Sequence, residues 1–172
     1  VQTCALPIYV IRDALKKYSF IHYIDSDVVC VNEPPKIFYD DYYKYDVIFQ
    51  YDGIDNIFGE NQCMGNITLR NNERTIWLLD EITKLQIEYP SIADQDALVY
   101  YLTSNGINDI RKLNECKLYV YPIERYTSGY MLLQNKMSKQ YIHSNCYFFH
   151  ANWCIGNEKK MNLLKDLDYW FM

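Results

Sequence analysis

No run of about 18 apolar residues occurs in this 172-residue chain, so no segment has the length and character of a membrane-spanning helix. A basic block is also missing. The 17 Lys and Arg are outnumbered by 22 Asp and Glu, giving a formal charge of −5, which counts against non-specific nucleic-acid binding because that requires clustered cations. There is no Cys-x-x-Cys spacing, which removes the usual zinc and redox patterns. Internal repeats, low-complexity tracts and Gly/Ser linkers are lacking too, and at this length their absence points to one domain. An apolar fraction of 49% with 23% charged residues excludes disorder. Tyrosine, at 18 residues, is abundant. Its ring and polar tip suit stacking against sugars or protein partners.

The first eight residues, Val-Gln-Thr-Cys-Ala-Leu-Pro-Ile, carry neither the basic region nor the longer apolar stretch of a signal peptide. They resemble a translated sequencing adapter, which assigns residues 1–8 to a scar and residues 9–172 to the domain. Without Cys4, five cysteines remain: Cys30, Cys63, Cys116, Cys146 and Cys154. Their odd number favours buried or half-buried thiols, with a disulfide left open.

Val10, Ile11, Ala14, Leu15 and Tyr18 recur at helical spacing, predicting a helix over residues 9–18. Residues 20–24 and 28–31 read as short apolar strands, and Pro34-Pro35 interrupts the chain after them. Further strands are expected at residues 46–50, 66–70, 118–121 and 147–150, with a polar loop over 52–62. Helices are expected at 75–89, where Leu78, Ile82, Leu85 and Tyr89 form a stripe, at 94–104 before Asn105-Gly106, and at 157–167. Alternating helices and strands predict an α/β fold, a mixed central sheet flanked by helices.

Four groups of residues carry candidate chemistry. The strand Phe20-Ile-His-Tyr-Ile runs into Asp25-Ser-Asp27. Residues i and i+2 of an extended chain share a side, so both carboxylates can converge on a hard cation such as Mn²⁺ or Mg²⁺ that also holds a diphosphate. An acidic turn that simply ends a strand is the plainer alternative. In the second group, His150 closes an apolar strand, Gly156 permits close backbone approach, and Lys159 and Lys160 fall in the first turn of a helix. Lysine opposes the helix dipole there, and a bound anion would relieve the conflict; exposed surface lysines and a core histidine are the alternative. His22 and His143 lack such context and are read as structural. The third group, Asp94-Gln95-Asp96, opens a helix, where an Asp94 N-cap would be ordinary. The fourth, Cys63-Met-Gly65-Asn-Ile-Thr-Leu-Arg70, reads on its own as a tight backbone turn.

The order of these groups, D-x-D after a strand, then C-x-G-x4-R, then D-Q-D, then H-x5-G-x3-K, resembles the nucleotide-diphospho-sugar transferases of the GT-A fold. The likeness is greatest to family 77-type glycosyltransferases, related to family 8, and it extends from about Tyr9 to the C-terminus. It implies a metal-dependent, retaining transfer of sugar from a UDP-sugar or similar donor to a hydroxyl on a glycan or glycoprotein. By this resemblance Asp25, Asp27 and His150 are metal ligands for Mn²⁺ or Mg²⁺. Asp25, Gly65, Gly156, Lys159 and Lys160 bind the donor, while Asp94 and Gln95 lie beside its sugar as the catalytic pair.

Two departures accompany the likeness. Cys63 or its neighbour stands where relatives commonly have Asn. The strand and helix that bind the nucleotide base in the GT-A fold would precede Tyr9, so the sheet is expected to lack its first strand or strands. The compartment stays open, the Golgi lumen for a eukaryotic secretory relative and the cytoplasm for a viral or bacterial one.

Two other function classes share parts of this pattern. Strand-D-x-D-V also resembles the aspartate-nucleophile phosphatases, but Asp40-Asp41 comes too early for their late acidic pair. A non-catalytic glycan-binding domain lined by tyrosines is the other.

Overall fold

Ile8, Ile11 and Leu15 project from one side of helix α1 (Leu6–Leu15) and are essentially inaccessible to solvent, so this helix is held down as one wall of the main core. The computed structural model describes residues 6–35, 42–53, 62–107, 113 and 115–170. Residues 1–5 of the adapter-like segment, most of the expected polar loop, and Asp40-Asp41 lie outside them. Ile8, the last of the first eight, packs in the core.

After α1 the chain forms β1 (Phe20–Ile24) and β2 (Val28–Cys30), then β3 (Val47–Tyr51) and β4 (Gln62–Arg70). Helix α2 (Glu73–Glu88) follows, N-capped by Asn72, whose side chain accepts from the Thr75 N–H. Helix α3 (Asp94–Ser104) leads to β5 (Leu118–Val120) and β6 (Tyr126–Ser128). Short helices α4 (Gly129–Leu133) and α5 (Lys139–Asn145) precede β7 (Phe148–His150) and α6 (Asn157–Asp166). Each strand and helix anticipated from the sequence is present within a few residues of its expected ends. Strand β4 starts earlier than foreseen, and β6, α4 and α5 were not foreseen.

The expected single mixed sheet is instead two. The larger has the order β1-β4-β3-β5, antiparallel except for the β3–β5 pair; the smaller has the order β2-β7-β6. One face of the large sheet buries Val47, Phe49, Ile67 and Leu69 against α1, α2 and α3. Burying side chains of this size contributes about 1.5–3 kcal/mol each. Ile48 points the other way and packs with Val28, Tyr121, Tyr126 and Phe148 in a cluster between the sheets. At its centre the Tyr121 and Tyr126 rings lie parallel, 3.8 Å apart. Phe149, Leu163 and Leu164 help form a third cluster, beneath α6.

The pairing of β3 with β4 contains a jump. Phe49 faces Ile67 but Gln50 faces Cys63, so Met64, Gly65 and Asn66 bulge away from β3. On the other side, Asn66 pairs with Ile24 at the end of β1. The bulge therefore sits beside the point where β1 runs into Asp25.

Candidate functional site

Asp25 and Asp27 converge through a turn rather than through an extended chain. Strand β1 ends at Ile24, and the Val28 N–H closes back on the Asp25 carbonyl at 3.1 Å. The Ala151 N–H donates to the Asp27 carbonyl at 2.9 Å, and the antiparallel pairing of β2 with β7 sets Val28 opposite His150. One ligand atom from each of Asp25, Asp27 and His150 lies within 4.8 Å of the others.

The surroundings fit a cation. A Cβ built on Gly65 would lie 2.5 Å from Asp25 Oδ2 and 2.6 Å from His150 Cε1, so only glycine leaves this space clear. The Tyr23 hydroxyl donates to Asp25 Oδ1 at 2.7 Å. Asp94 is half-buried, and burial first, then the charge of Asp25, pushes its carboxyl above the usual range. Several carboxylates crowded together, with an imidazole among them, suit a hard or borderline cation such as Mn²⁺ or Mg²⁺.

Lys160 Nζ lies 2.6 Å from Asp27 Oδ2, and His150 Nε2 lies 3.3 Å from Asp27 Oδ1. Burial raises the Asp27 pKa, but the hydrogen bonds and charges of His150 and Lys160 outweigh it and hold the carboxyl well below the ordinary value. The lysine that opposed the helix dipole thus meets a carboxylate of the protein itself. Gly156, with φ of 94°, is the N-cap of α6, and its carbonyl accepts the Lys160 N–H at 3.3 Å. Gly156 shapes the turn that presents Lys160 but touches none of the three ligand side chains. Lys159 is exposed on α6.

Asp94 is the first residue of α3, not its N-cap. Ala93 holds the cap position, and Asp94 Oδ1 accepts the N–H of Gln95 at 2.8 Å. Gln95 reaches the site through Asp52, a residue not singled out from the sequence. Asp52 lies just past β3, where Oδ2 accepts from Gln95 Nε2 at 3.4 Å and Oδ1 from Asn152 Nδ2 at 2.6 Å. Burial raises its pKa, against the pull of Gln95, His150 and Trp153. A strand running into Asp was the signal that marked Asp25, and the same signal stands at Tyr51-Asp52. Trp153, at a positive φ of 62°, donates its indole N–H to the Asp52 carbonyl at 2.7 Å and packs 5.1 Å from Tyr130. A bulky side chain in that backbone region is strained, a state that clusters at functional sites.

Tyr23 and Gln50 were also missed. Tyr23 precedes Asp25 by two residues, the spacing that puts side chains on one side of a strand. Gln50 is a polar residue in an otherwise apolar strand, and it is wholly buried. Of the two histidines set aside above, His22 Nε2 meets Asn66 Oδ1 at 2.7 Å, and His143 Nδ1 meets the Tyr169 hydroxyl at 2.6 Å. Cys30, Cys63, Cys116, Cys146 and Cys154 are all free thiols.

Comparison with known proteins adds three findings. The profile of the nucleotide-diphospho-sugar transferase family matches residues 8–164. A Dictyostelium discoideum protein described as a UDP-galactose:fucoside alpha-3-galactosyltransferase is 27% identical over 178 aligned positions, which take in 95% of this chain and 27% of the relative. The chain thus spans about a quarter of that protein's length. The crystal structure of a glycosyltransferase involved in the glycosylation of the major capsid of PBCV-1 aligns with a TM-score of 0.61 at 14% identity, covering 98% of this chain and 78% of the other. That likeness shows a shared α/β fold of the GT-A-like kind.

Proposed function

The chain belongs to the nucleotide-diphospho-sugar transferase family, and from that footing we propose a metal-dependent, retaining glycosyl transfer from a nucleotide-diphosphate sugar to an acceptor hydroxyl. The observation that carries the reading is the convergence of Asp25, Asp27 and His150 around the space left by Gly65. The name of the Dictyostelium relative, which prints UDP-galactose and a fucoside, supports a UDP-sugar as donor and a sugar hydroxyl as acceptor.

Asp25, Asp27 and His150 would hold the divalent ion. When bound, Mn²⁺ or Mg²⁺ supplies Lewis-acid charge that neutralises the diphosphate leaving group. Lys160, now paired with Asp27, would swing to the diphosphate oxygens and stabilise the negative charge that builds there. Gly156 starts the helix that carries Lys160, and Lys159 supplies a neighbouring charge for the outer phosphate. Breaking the anomeric bond also builds positive character on the sugar ring. Asp94 and Gln95 would face that ring, with Asp52 fixing the Gln95 amide. The acceptor approaches on the face the diphosphate leaves, and a departing phosphate oxygen takes its proton. No protein nucleophile or separate base is then required. The exposed ring of Trp153, backed by Tyr130, offers an apolar face to the acceptor sugar.

Calorimetric titration with Mn²⁺ and UDP tests this reading, with the Asp25→Ala/Asp27→Ala double variant alongside. UDP binding that requires Mn²⁺ and is lost in the variant supports it. A folded chain whose UDP binding ignores Mn²⁺ and the two substitutions overturns the metal-dependent mechanism.

A further inference from the structure

His150 touches the proposed metal site through one ring nitrogen only. Nε2 faces Asp27, while Nδ1 points inward to Gln50 Oε1 at 3.3 Å and to Cys63 Sγ at 3.5 Å. All three residues are buried, at 3%, 0% and 5% exposure, so no bulk water reaches Nδ1 to settle its protonation. The outcome rests on protein groups alone.

Those groups form a chain with a fixed direction. Gln50 Nε2 lies 2.6 Å from the carbonyl oxygen of Thr127, which is also fully buried. A carbonyl can only accept, so the Gln50 amide must present its NH₂ group to Thr127. Its oxygen then faces His150, and an amide oxygen can only accept as well. The proton in this contact must therefore come from His150 Nδ1. Turning the amide over would set oxygen against oxygen at Thr127, in a dry environment where an unpaired polar group costs about 1–3 kcal/mol.

We propose that Gln50 is a positioning residue that holds a proton on His150 Nδ1, so that Nε2, which faces Asp27 at 3.3 Å without a metal, is the nitrogen that turns its lone pair to a divalent cation when one binds. The inference rests on the metal reading above for its purpose, but the proton on Nδ1 does not itself require a metal. Cys63 is the competitor, since its S–H could donate to a bare Nδ1. Its contact is the longer one and its S–H the weaker donor, and the Gln50 oxygen opposes a bare Nδ1 whatever the thiol does. The same logic recurs at metal centres, where the far nitrogen of a ligating histidine is held by an acceptor.

The test is long-range proton–nitrogen NMR on metal-free protein with labelled histidine, followed from neutral to alkaline pH. A His150→Gln variant assigns its signals among the three histidines. The expected result is a proton held on Nδ1 to the alkaline end of the series. Gln50→Leu should mix the two tautomers and weaken Mn²⁺ binding by about 10–100-fold, whereas Gln50→Glu, which keeps an acceptor at this place, should retain the tautomer. A bare Nδ1 in the wild-type protein overturns the proposal without any variant having to fold. So does an unchanged tautomer with unchanged Mn²⁺ affinity in folded Gln50→Leu. Failure of the wild type to bind Mn²⁺ would instead overturn the metal reading, and the spectrum would still decide the role of Gln50.

Discussion

The backbone N–H of Asp25 donates to the carbonyl oxygen of Gly65 at 2.8 Å, while the Asp25 carboxylate would collide with any side chain that Gly65 carried. Two residues 40 positions apart thus fix each other, one supplying charge and the other supplying space.

Gly65→Ala should separate these roles. The added methyl must displace Asp25 or His150, and such overpacking costs about 1–3 kcal/mol. Mn²⁺ affinity should fall at least about tenfold, because misplaced ligands lose more than the fold does. Thermal unfolding and Mn²⁺ titration on the same sample check both.

Tyr23→Phe removes the hydroxyl that orients Asp25. Burial first, then hydrogen bonding to Asp25, raises the Tyr23 pKa, so the phenol stays a donor at neutral pH. A bond to a charged acceptor is worth about 1.5–3 kcal/mol, and its loss should appear as lower stability with Mn²⁺ binding weakened several-fold. Calorimetry on the variant would show both.

Lys160→Met should move two affinities in opposite directions. The Lys160 ammonium competes for Asp27 in the free protein. Without it, Mn²⁺ alone should bind as tightly or more tightly. UDP in the presence of Mn²⁺ should bind about tenfold more weakly, since a charge-assisted contact to phosphate is gone. Parallel weakening of both would show that Lys160 serves the fold and not the diphosphate.

Asp46 makes the pH dependence testable away from the site. Its buried carboxylate accepts from Arg74 Nε and Nη2 at 2.7 and 2.8 Å, from Asn72 at 2.8 Å and from the Lys117 N–H at 2.7 Å. Burial raises its pKa, but these donors outweigh it and the net shift is downward. A depressed folded value gives stability that is fully present above the unfolded value, about 4, and lost as pH falls through the folded one. Asp46→Asn should therefore be less stable at pH 7 by about 1–3 kcal/mol, with the difference shrinking towards pH 2. Urea unfolding at several pH values measures this.

The element pattern was legible because apolar spacing is local. Leu78 and Ile82 of α2, or Phe148 and Phe149 of β7, declare themselves within a few residues. The division into two sheets was not legible, since β2 pairs with β7, more than a hundred residues on, and nothing local to β2 names that partner. In the site, Asp25, Asp27, His150 and Lys160 lie together. Their convergence comes from the turn closed by Val28, which the extended-strand argument did not contain. Gln50 and Asp52 escaped notice because neither belongs to a spaced motif, and only their buried partners reveal what they do.

The parallel rings of Tyr121 and Tyr126 join the large sheet to the small one, and the site crosses the same seam. Asp25 and Gly65 belong to the large-sheet side, and His150 belongs to the small. Any ligand that grips both sides is thermodynamically linked to the docking of the sheets. At a hundred times its dissociation constant it would add about 2.7 kcal/mol to the docked state. Conversely, loosening the tyrosine pair would surface as weakened ligand affinity at a distance, with every contacting side chain still in place.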